Sequence, residues 1–430
     1  MISPRRKLLI GAAALVLGVG CKPIYVETPV SPLAGAVDPT STLIGCDQAG
    51  NALIVTSSSH LDPACTYSGG ITINAGSTTL DCRGAHVESA PDAGGVGVLI
   101  TTPADTDLAD VIVRNCFVKG FLNGMRVTRS GFKTLAVGHE YEHGYANITI
   151  ENSHIYGTRG SGLYVDGFVT GVTIRNLEIQ GAGSVGIYLE AGSKDNVVDA
   201  NVINNNGYAD TDPAGKPFDL GATHYRYVST GREGIAVDGS RHNVITNNRL
   251  DNNAAGGVFL YKNCGEYATQ KPAQWWTRNY GADDNLIEGN TITNGPVGVW
   301  VASRMSQNPL LWDCSDPAYY TSGFKKIVLD HAAGNTVRGN TFAFLRDGVR
   351  VEDDGTIVEA NHFSAHLPAF HAVLVGTAYR GEFGAHPVTN TLVKDNDATI
   401  DGNPTPFATI PGADPATTTF VGNLLSLIHI

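Results

Sequence analysis

Between Gly124 and Val351 one short pattern recurs: a glycine, an apolar residue, any residue, a second apolar residue, then a polar turn. The apolar pairs are Met125 and Val127, Leu163 and Val165, Ile187 and Leu189, Ile235 and Val237, Val258 and Leu260, Val299 and Val301, and Val349 and Val351. Alternation with period two predicts short strands with one face buried and the other facing out. Between the pairs stand Asn115, Asn152, Asn176, Asn201, Asn248, Asn290, Asn340 and Asn361, each closing a strand-like run such as V-T-I-R-N. Where no insertion intervenes, they follow one another after 24 residues (152 to 176), 25 (176 to 201) and 21 (340 to 361). A repeat of this length, rich in Gly, Asn and β-branched residues, predicts a β-solenoid. Asparagines stacked at equivalent turns are expected to satisfy the backbone of adjacent coils.

The run of coils from about residue 70 to 400, opened by T-L-D-C-R-G-A at Thr79 to Ala85, resembles the pectin-lyase-like superfamily. That resemblance implies an all-β, right-handed, single-stranded parallel β-helix with loop insertions. It implies no single activity, because the fold hosts lyases, hydrolases, epimerases, tailspikes and non-catalytic binders. The D-P-H-D motif of bacterial alginate epimerases and the N-x-D, D-D, G-H-G and R-I-K set of polygalacturonases are absent. Phosphate loops, zinc spacings and a G-x-S-x-G elbow are also missing.

The organisation around the coils follows from composition. Residues 1–21 read as an export segment: Arg5-Arg6-Lys7 forms a basic start and Leu8 to Gly20 an apolar stretch. The paired arginines leave twin-arginine and ordinary secretory export both open. Leu17-Gly18-Val19-Gly20-Cys21 resembles a bacterial lipobox with its leucine one place early. Cys21 is therefore the expected lipidation site, anchoring a periplasmic or outer-membrane lipoprotein to a bacterial membrane. Setting Cys21 aside leaves six cysteines in an exported chain. Chain order favours the disulfides Cys46–Cys65, Cys82–Cys116 and Cys264–Cys314, with buried thiols as the alternative. Residues 22–59 read as tether and N-terminal cap, 60–403 as the β-helix and 404–430 as a C-terminal tail, whose last residues, Leu425 to Ile430, look like translated adaptor. A net charge of −12 without a basic run beyond the start argues against a nucleic-acid partner.

Three insertions interrupt the middle coils: Gly207 to Gly231, Cys264 to Asp284, and Ser303 to Gly334. Loops on a rigid scaffold are where function concentrates. On the strands between them, the residue after each inward apolar residue points out, giving the column Arg126, Tyr164, Tyr188, Ala236, Phe259, Trp300, Arg350. Two residues on comes Thr128, Asp166, Glu190, Asp238, Tyr261, Ala302, Glu352. Aromatic rings stack on sugar faces, while carboxylates bind hydroxyls, hold a cation such as calcium, or move protons. The expected partner is a polysaccharide chain, bound by Tyr164, Tyr188, Phe259, Trp300, Arg226, Asp166 and Glu190; the alternative is strand propensity alone.

Candidate catalytic residues are His224, Tyr225, Glu233, Asp238, Arg241 and Lys262. In the preferred reading, Lys262, placed as a surface partner of Asp238, abstracts the proton beside a uronate carboxyl group. Arg226 or Arg241 neutralises that carboxylate, and Tyr225 or His224 returns a proton. This is a lyase or C5-epimerase reaction. Glu233 and Asp238 as the carboxyl pair of a glycoside hydrolase, and a non-catalytic carbohydrate-binding or envelope protein, are the alternatives.

Overall fold

The computed structural model describes residues 37–427 except 90–93, 221–222, 264–277, 279, 304–306, 310–317, 323–324, 329–330, 366–369, 378–379, 381–385, 401–402 and 404. For 210–220, 223–229, 307–309, 318–322, 325–328, 365 and 427 the description covers the backbone only. Cys21, Cys264 and Cys314 lie outside the described residues.

Strands of one coil pair in parallel with the equivalent strands of the next, and the coils form a right-handed parallel β-helix with three faces. One face is a 13-stranded sheet running from Thr42–Ile44 to Thr419–Val421. The other two join in a 22-stranded sheet, because Thr291–Val301 and Thr341–Val351 each run through both. Parallel pairing begins at Thr42–Ile44 and reaches Leu424–Leu427. The solenoid thus extends past both bounds of 60–403, because the irregular-looking Pro- and Thr-rich flanks still hold alternating strands such as Leu53–Val55. Cys46–Cys65 and Cys82–Cys116 are bonded, with Cα atoms 5.3 and 4.7 Å apart.

The inward residues predicted by the alternation form the core. Met125, Leu163, Ile187, Ile235, Val258, Val299 and Val349 stack in consecutive coils and are all buried.

The asparagines form ladders. In the longest, Asn201, Asn248, Asn290, Asn340, Asn361, Asn396 and Asn423, each backbone N–H donates to the next residue's Oδ1 at 2.8–3.1 Å. The Nδ2 donates to that same Oδ1 at 2.8–3.0 Å and also to a nearby backbone carbonyl, as Asn290 does to Ile245 at 2.9 Å. A second ladder joins Asn196, Asn243, Asn285 and Asn335. Asn115, Asn152 and Asn176 are not rungs; they adopt φ of 60°, 49° and 51°, the left-handed region that asparagine tolerates. The rung positions there are Cys116, Ser153 and Leu177; the Cys116 N–H reaches Ser153 Oγ and the Leu177 N–H reaches Asn201 Oδ1.

Replacing Asn290 by Ala strands the N–H and one Nδ2–H of Asn248 inside the turn, while Asn340 Oδ1 keeps the backbone N–H of residue 290. The expected cost is about 2–4 kcal/mol, read as a drop in the denaturant midpoint.

Candidate active site

The site face is carried by β1 (Asn123–Ser130), β2 (Leu163–Val165), β3 (Ile187–Leu189), β4 (Glu233–Asp238), β5 (Gly256–Tyr261), β6 (Thr291–Val301) and β7 (Thr341–Val351). Their register places Arg126, Tyr164, Tyr188, Ala236, Phe259, Trp300 and Arg350 side by side in the expected outward column. The column is open only at its ends. Tyr188, Ala236 and Phe259 are buried and join Val185, Tyr261 and Val297 in a second apolar cluster outside the main core. Tyr188 and Phe259 are therefore packing residues in this conformation and not open sugar platforms, whereas Tyr164 and Trp300 remain partly exposed.

At the ends of β3 and β4 two carboxylates from consecutive coils converge. Arg278 Nη1 lies 3.3 Å from Glu190 Oε1 and 3.0 Å from Asp238 Oδ2, so one guanidinium nitrogen bridges both acids. Tyr164 donates its phenol to Glu190 Oε2 at 2.5 Å, and Tyr188 donates to Asp238 Oδ2. The two rings stack 4.7 Å apart at an interplanar angle of 5°. Asp238 also accepts from the N–H of Asn263 at 2.7 Å and from its Nδ2 at 2.6 Å. Three of those four donors meet Oδ2 and one meets Oδ1.

Glu190 differs. Burial pushes its pKa above the usual carboxylate value and outweighs the opposing pull of Arg278; the nearby Asp238 charge adds to the rise. Burial and the same acids push both phenols well up, so Tyr164 and Tyr188 stay protonated donors. The pair consists of a carboxyl poised to hold a proton beside an acceptor held in a fixed cage of donors.

The other predicted residues fall into separate groups. Asp166 is buried and takes a two-pronged contact from Arg126, with Nε and Nη2 at 2.9 Å from its two oxygens. Glu233 is caged by Arg232, through Nε and Nη2 at 3.2 Å, and by the Tyr261 phenol at 2.7 Å. Burial works against its charge, but Arg232 and Tyr261 prevail and hold its pKa below the usual value. Its partners are thus Arg232 and Tyr261, separate from the donors that surround Asp238.

Arg241 lies over the ring of Tyr280, 4.7 Å from its centroid, in the turn beyond β4. His224, Tyr225 and Arg226 sit on the strand Thr223–Thr230, which pairs antiparallel with Thr211–Leu220; their side chains lie outside the described residues.

Lys262 requires a correction. Asp238 pairs in register with Tyr261, one residue earlier, and takes its donors from Tyr188, Asn263 and Arg278. Lys262 itself is buried, and its charge acts on Asp283. It is therefore not a surface partner of Asp238. Lys262→Ala is expected to lower the melting temperature by several degrees, since a buried ammonium leaves uncompensated partners behind; thermal unfolding measures it.

Arg278 and Asn263 contact the carboxylate pair and are not among the residues that sequence reasoning selected. Asn263 follows directly after a predicted strand, but Arg278 lies in an insertion without a repeat phase. At Asp166, Glu190 and Asp238, calcium would have to compete for the oxygens that Arg126, Arg278, two phenols and Asn263 contact. Among the described residues the one group spaced for a metal is Cys46, Asp62 and Cys65, and both cysteines are in a disulfide.

On its N-terminal side the face opens into a groove of about 510 Å³ lined by Thr72, Leu99, Thr101, Arg126, Thr128 and Ser130 among others. It ends one coil from Tyr164.

The profile of the family described as right handed beta helix region matches residues 69–271. No curated protein sequence matches the chain. Among solved structures, the A-module of a mannuronan C-5 epimerase from Azotobacter vinelandii is 14% identical, with 90% of each chain covered and a TM-score of 0.48. The Dettilon tailspike protein is 13% identical over 89% of this chain and 61% of its own, with a TM-score of 0.44. An alginate lyase from Paenibacillus sp. str. FPU-7 is 11% identical over 89% of this chain and 99% of its own, at 0.36. At these scores none of the three says what this chain binds or does.

Proposed function

We propose that the chain is an exported polysaccharide-active enzyme that cleaves glycosidic bonds by acid–base catalysis, with Glu190 as proton donor and Asp238 as its anionic partner. The observation that carries this reading is the pair of buried carboxylates from adjacent coils that share Arg278 and each hold a tyrosine phenol. In the proposed step, Glu190 gives its proton to the glycosidic oxygen as the bond to the anomeric carbon breaks. The caged Asp238 carboxylate stabilises the positive charge that develops on the sugar. Water then adds at the anomeric carbon, and its proton returns to Glu190, whose hydrogen bond to Tyr164 keeps the carboxyl oriented between turnovers. The groove beside Tyr164 offers hydroxyl and apolar surface for the incoming chain.

Export is supported by two disulfides, which persist in oxidising compartments. Lipidation of Cys21 is the accompanying proposal, tested by the mass of the mature N-terminus.

Uronate elimination or epimerisation stands as a second reading because of Arg126. Its side chain is 34% exposed at the inner end of the groove and lies over Tyr164, 5.3 Å from the ring centroid, where a uronate carboxylate can meet it. Arg126 already serves Asp166, as Arg232 serves Glu233 and Arg278 serves the carboxyl pair. That prior pairing ranks elimination second.

A panel of neutral and uronate polysaccharides separates the readings. New reducing ends without an unsaturated chromophore support hydrolysis; appearance of the chromophore supports elimination, and a changed uronate composition by NMR without chain cleavage supports epimerisation. Binding with none of these changes would make the chain a binder and overturn both.

A further inference from the structure

Beyond Trp300 the site face carries a group of cations that the reacting centre does not use. Asp347 begins the part of β7 on this face, and Arg350 stands beside Trp300 in the outward column. One oxygen of Asp347, Oδ2, accepts from Arg350 Nε at 2.9 Å and from Arg346 Nε at 3.2 Å. The other, Oδ1, lies 3.2 Å from His371 Nδ1. Two guanidiniums and an imidazole thus converge on one buried carboxylate. Their outer surfaces stay open, with Arg346 57% and His371 35% exposed.

Among the described residues the cations there outnumber the anions. The other described carboxyl near Arg350 is Glu352, which burial pushes up to about 7 against the opposing effects of the Trp300 indole and Arg350. Near neutral pH it is therefore about half ionised, while both arginines keep full charge. A guanidinium that spends one edge on a protein carboxylate still presents further N–H groups in a planar fork, the geometry that receives carboxylates and sulfates. Trp300 is partly exposed and about 4.8 Å from the Arg350 strand, so a sugar ring can lie on the indole while its anionic group meets the arginines.

We propose that Arg346, Arg350 and His371, with Trp300, form a secondary docking site for an anionic sugar residue, taking its carboxylate or sulfate. The proposal deepens the functional reading above and rests on it for the polymer's being a polysaccharide. The site is separate from the reacting pair. Trp300 and Arg350 lie three and four coils beyond Tyr188, about 14–19 Å away, with buried Ala236 and Phe259 between them. A polymer held there is tethered close to the Glu190 centre, which raises its effective concentration without adding a contact to the reacting bond.

Titration calorimetry on the full chain tests this with three hexasaccharides: one from polygalacturonate, one from a sulfated carrageenan, and neutral cellohexaose. We expect an acidic hexamer to bind about tenfold or more tighter than cellohexaose, with the preference falling as salt rises. Which acidic hexamer prevails identifies carboxylate or sulfate as the ligand. Arg346→Gln leaves Arg350 and His371 on Asp347 and is expected to reduce the preference with a nearly unchanged melting temperature; Arg346→Glu, which also sets a second carboxylate beside Asp347, is expected to abolish the preference with a lower melting temperature. Equal affinity for all three hexamers, no binding of either acidic one, or an unaltered preference in both variants would overturn the proposal. Glu190→Gln keeps the two ideas apart. If that variant retains turnover, the catalytic reading fails while the anion preference can still stand; if it loses turnover but no anion preference exists, only the docking site fails.

Discussion

Glu190→Gln is expected to lower turnover by about 10²–10⁴-fold while leaving substrate affinity within a few-fold of the parent. The amide keeps the volume and can still contact Tyr164 and Arg278, but it has no proton to give. Stability supplies an independent check through the direction of the pKa shift. Burial places the folded-state value of Glu190 above its unfolded value, so the folded state holds a proton that the unfolded chain has released. The associated stability is present below the unfolded value and is lost as pH rises through the folded one. Glutamine removes that loss, so the variant's melting temperature is expected to gain on the parent's as pH rises, despite its loss of activity. In the parent, the rate should decline on the alkaline side as Glu190 gives up its proton. A pH–rate profile and thermal unfolding measured on the same preparations check both statements.

Arg278→Met is expected to have the largest effect on stability. It removes the cation shared by two buried carboxylates, and breaking such a pair from one side costs about 3–5 kcal/mol. Two consequences separate this from an ordinary packing defect. Without the guanidinium, repulsion from Asp238 drives the Glu190 pKa higher still. The destabilisation should therefore be greatest at alkaline pH and shrink under acidic conditions, where a protonated Glu190 needs no counterion. Equal destabilisation at pH 5 and pH 8 would mean that the contribution of Arg278 does not depend on the charge of Glu190.

The sequence carried the fold and one dimension of the site. Strand alternation is a local property, so the inward stack from Met125 to Val349 and the outward column from Arg126 to Arg350 both fall where period two places them. The acids at the strand ends were legible for the same reason, and Glu190 and Asp238 do face each other across adjacent coils. Burial was not legible. Tyr188 and Phe259 point away from the core yet lie in an outer apolar cluster, which alternation cannot distinguish from an exposed platform. Which acid pairs with which cation was hidden too, since it turns on single-residue offsets and on insertions. Lys262 sits one residue past the partner of Asp238, and Arg278 arrives from an insertion without a phase. An offset of one residue likewise separates the left-handed Asn176 from the rung at Leu177.

The central claim is that Glu190 protonates a glycosidic oxygen next to Asp238. A crystal structure of the Glu190→Gln variant with an oligosaccharide cut by the parent enzyme tests it most directly. The account predicts a linkage oxygen about 2.6–3.2 Å from the side-chain amide of residue 190, with the anomeric carbon facing Asp238 and the chain continuing into the groove at Arg126. A sugar chain bound with no linkage near residue 190, or lying on another face of the solenoid, would contradict it.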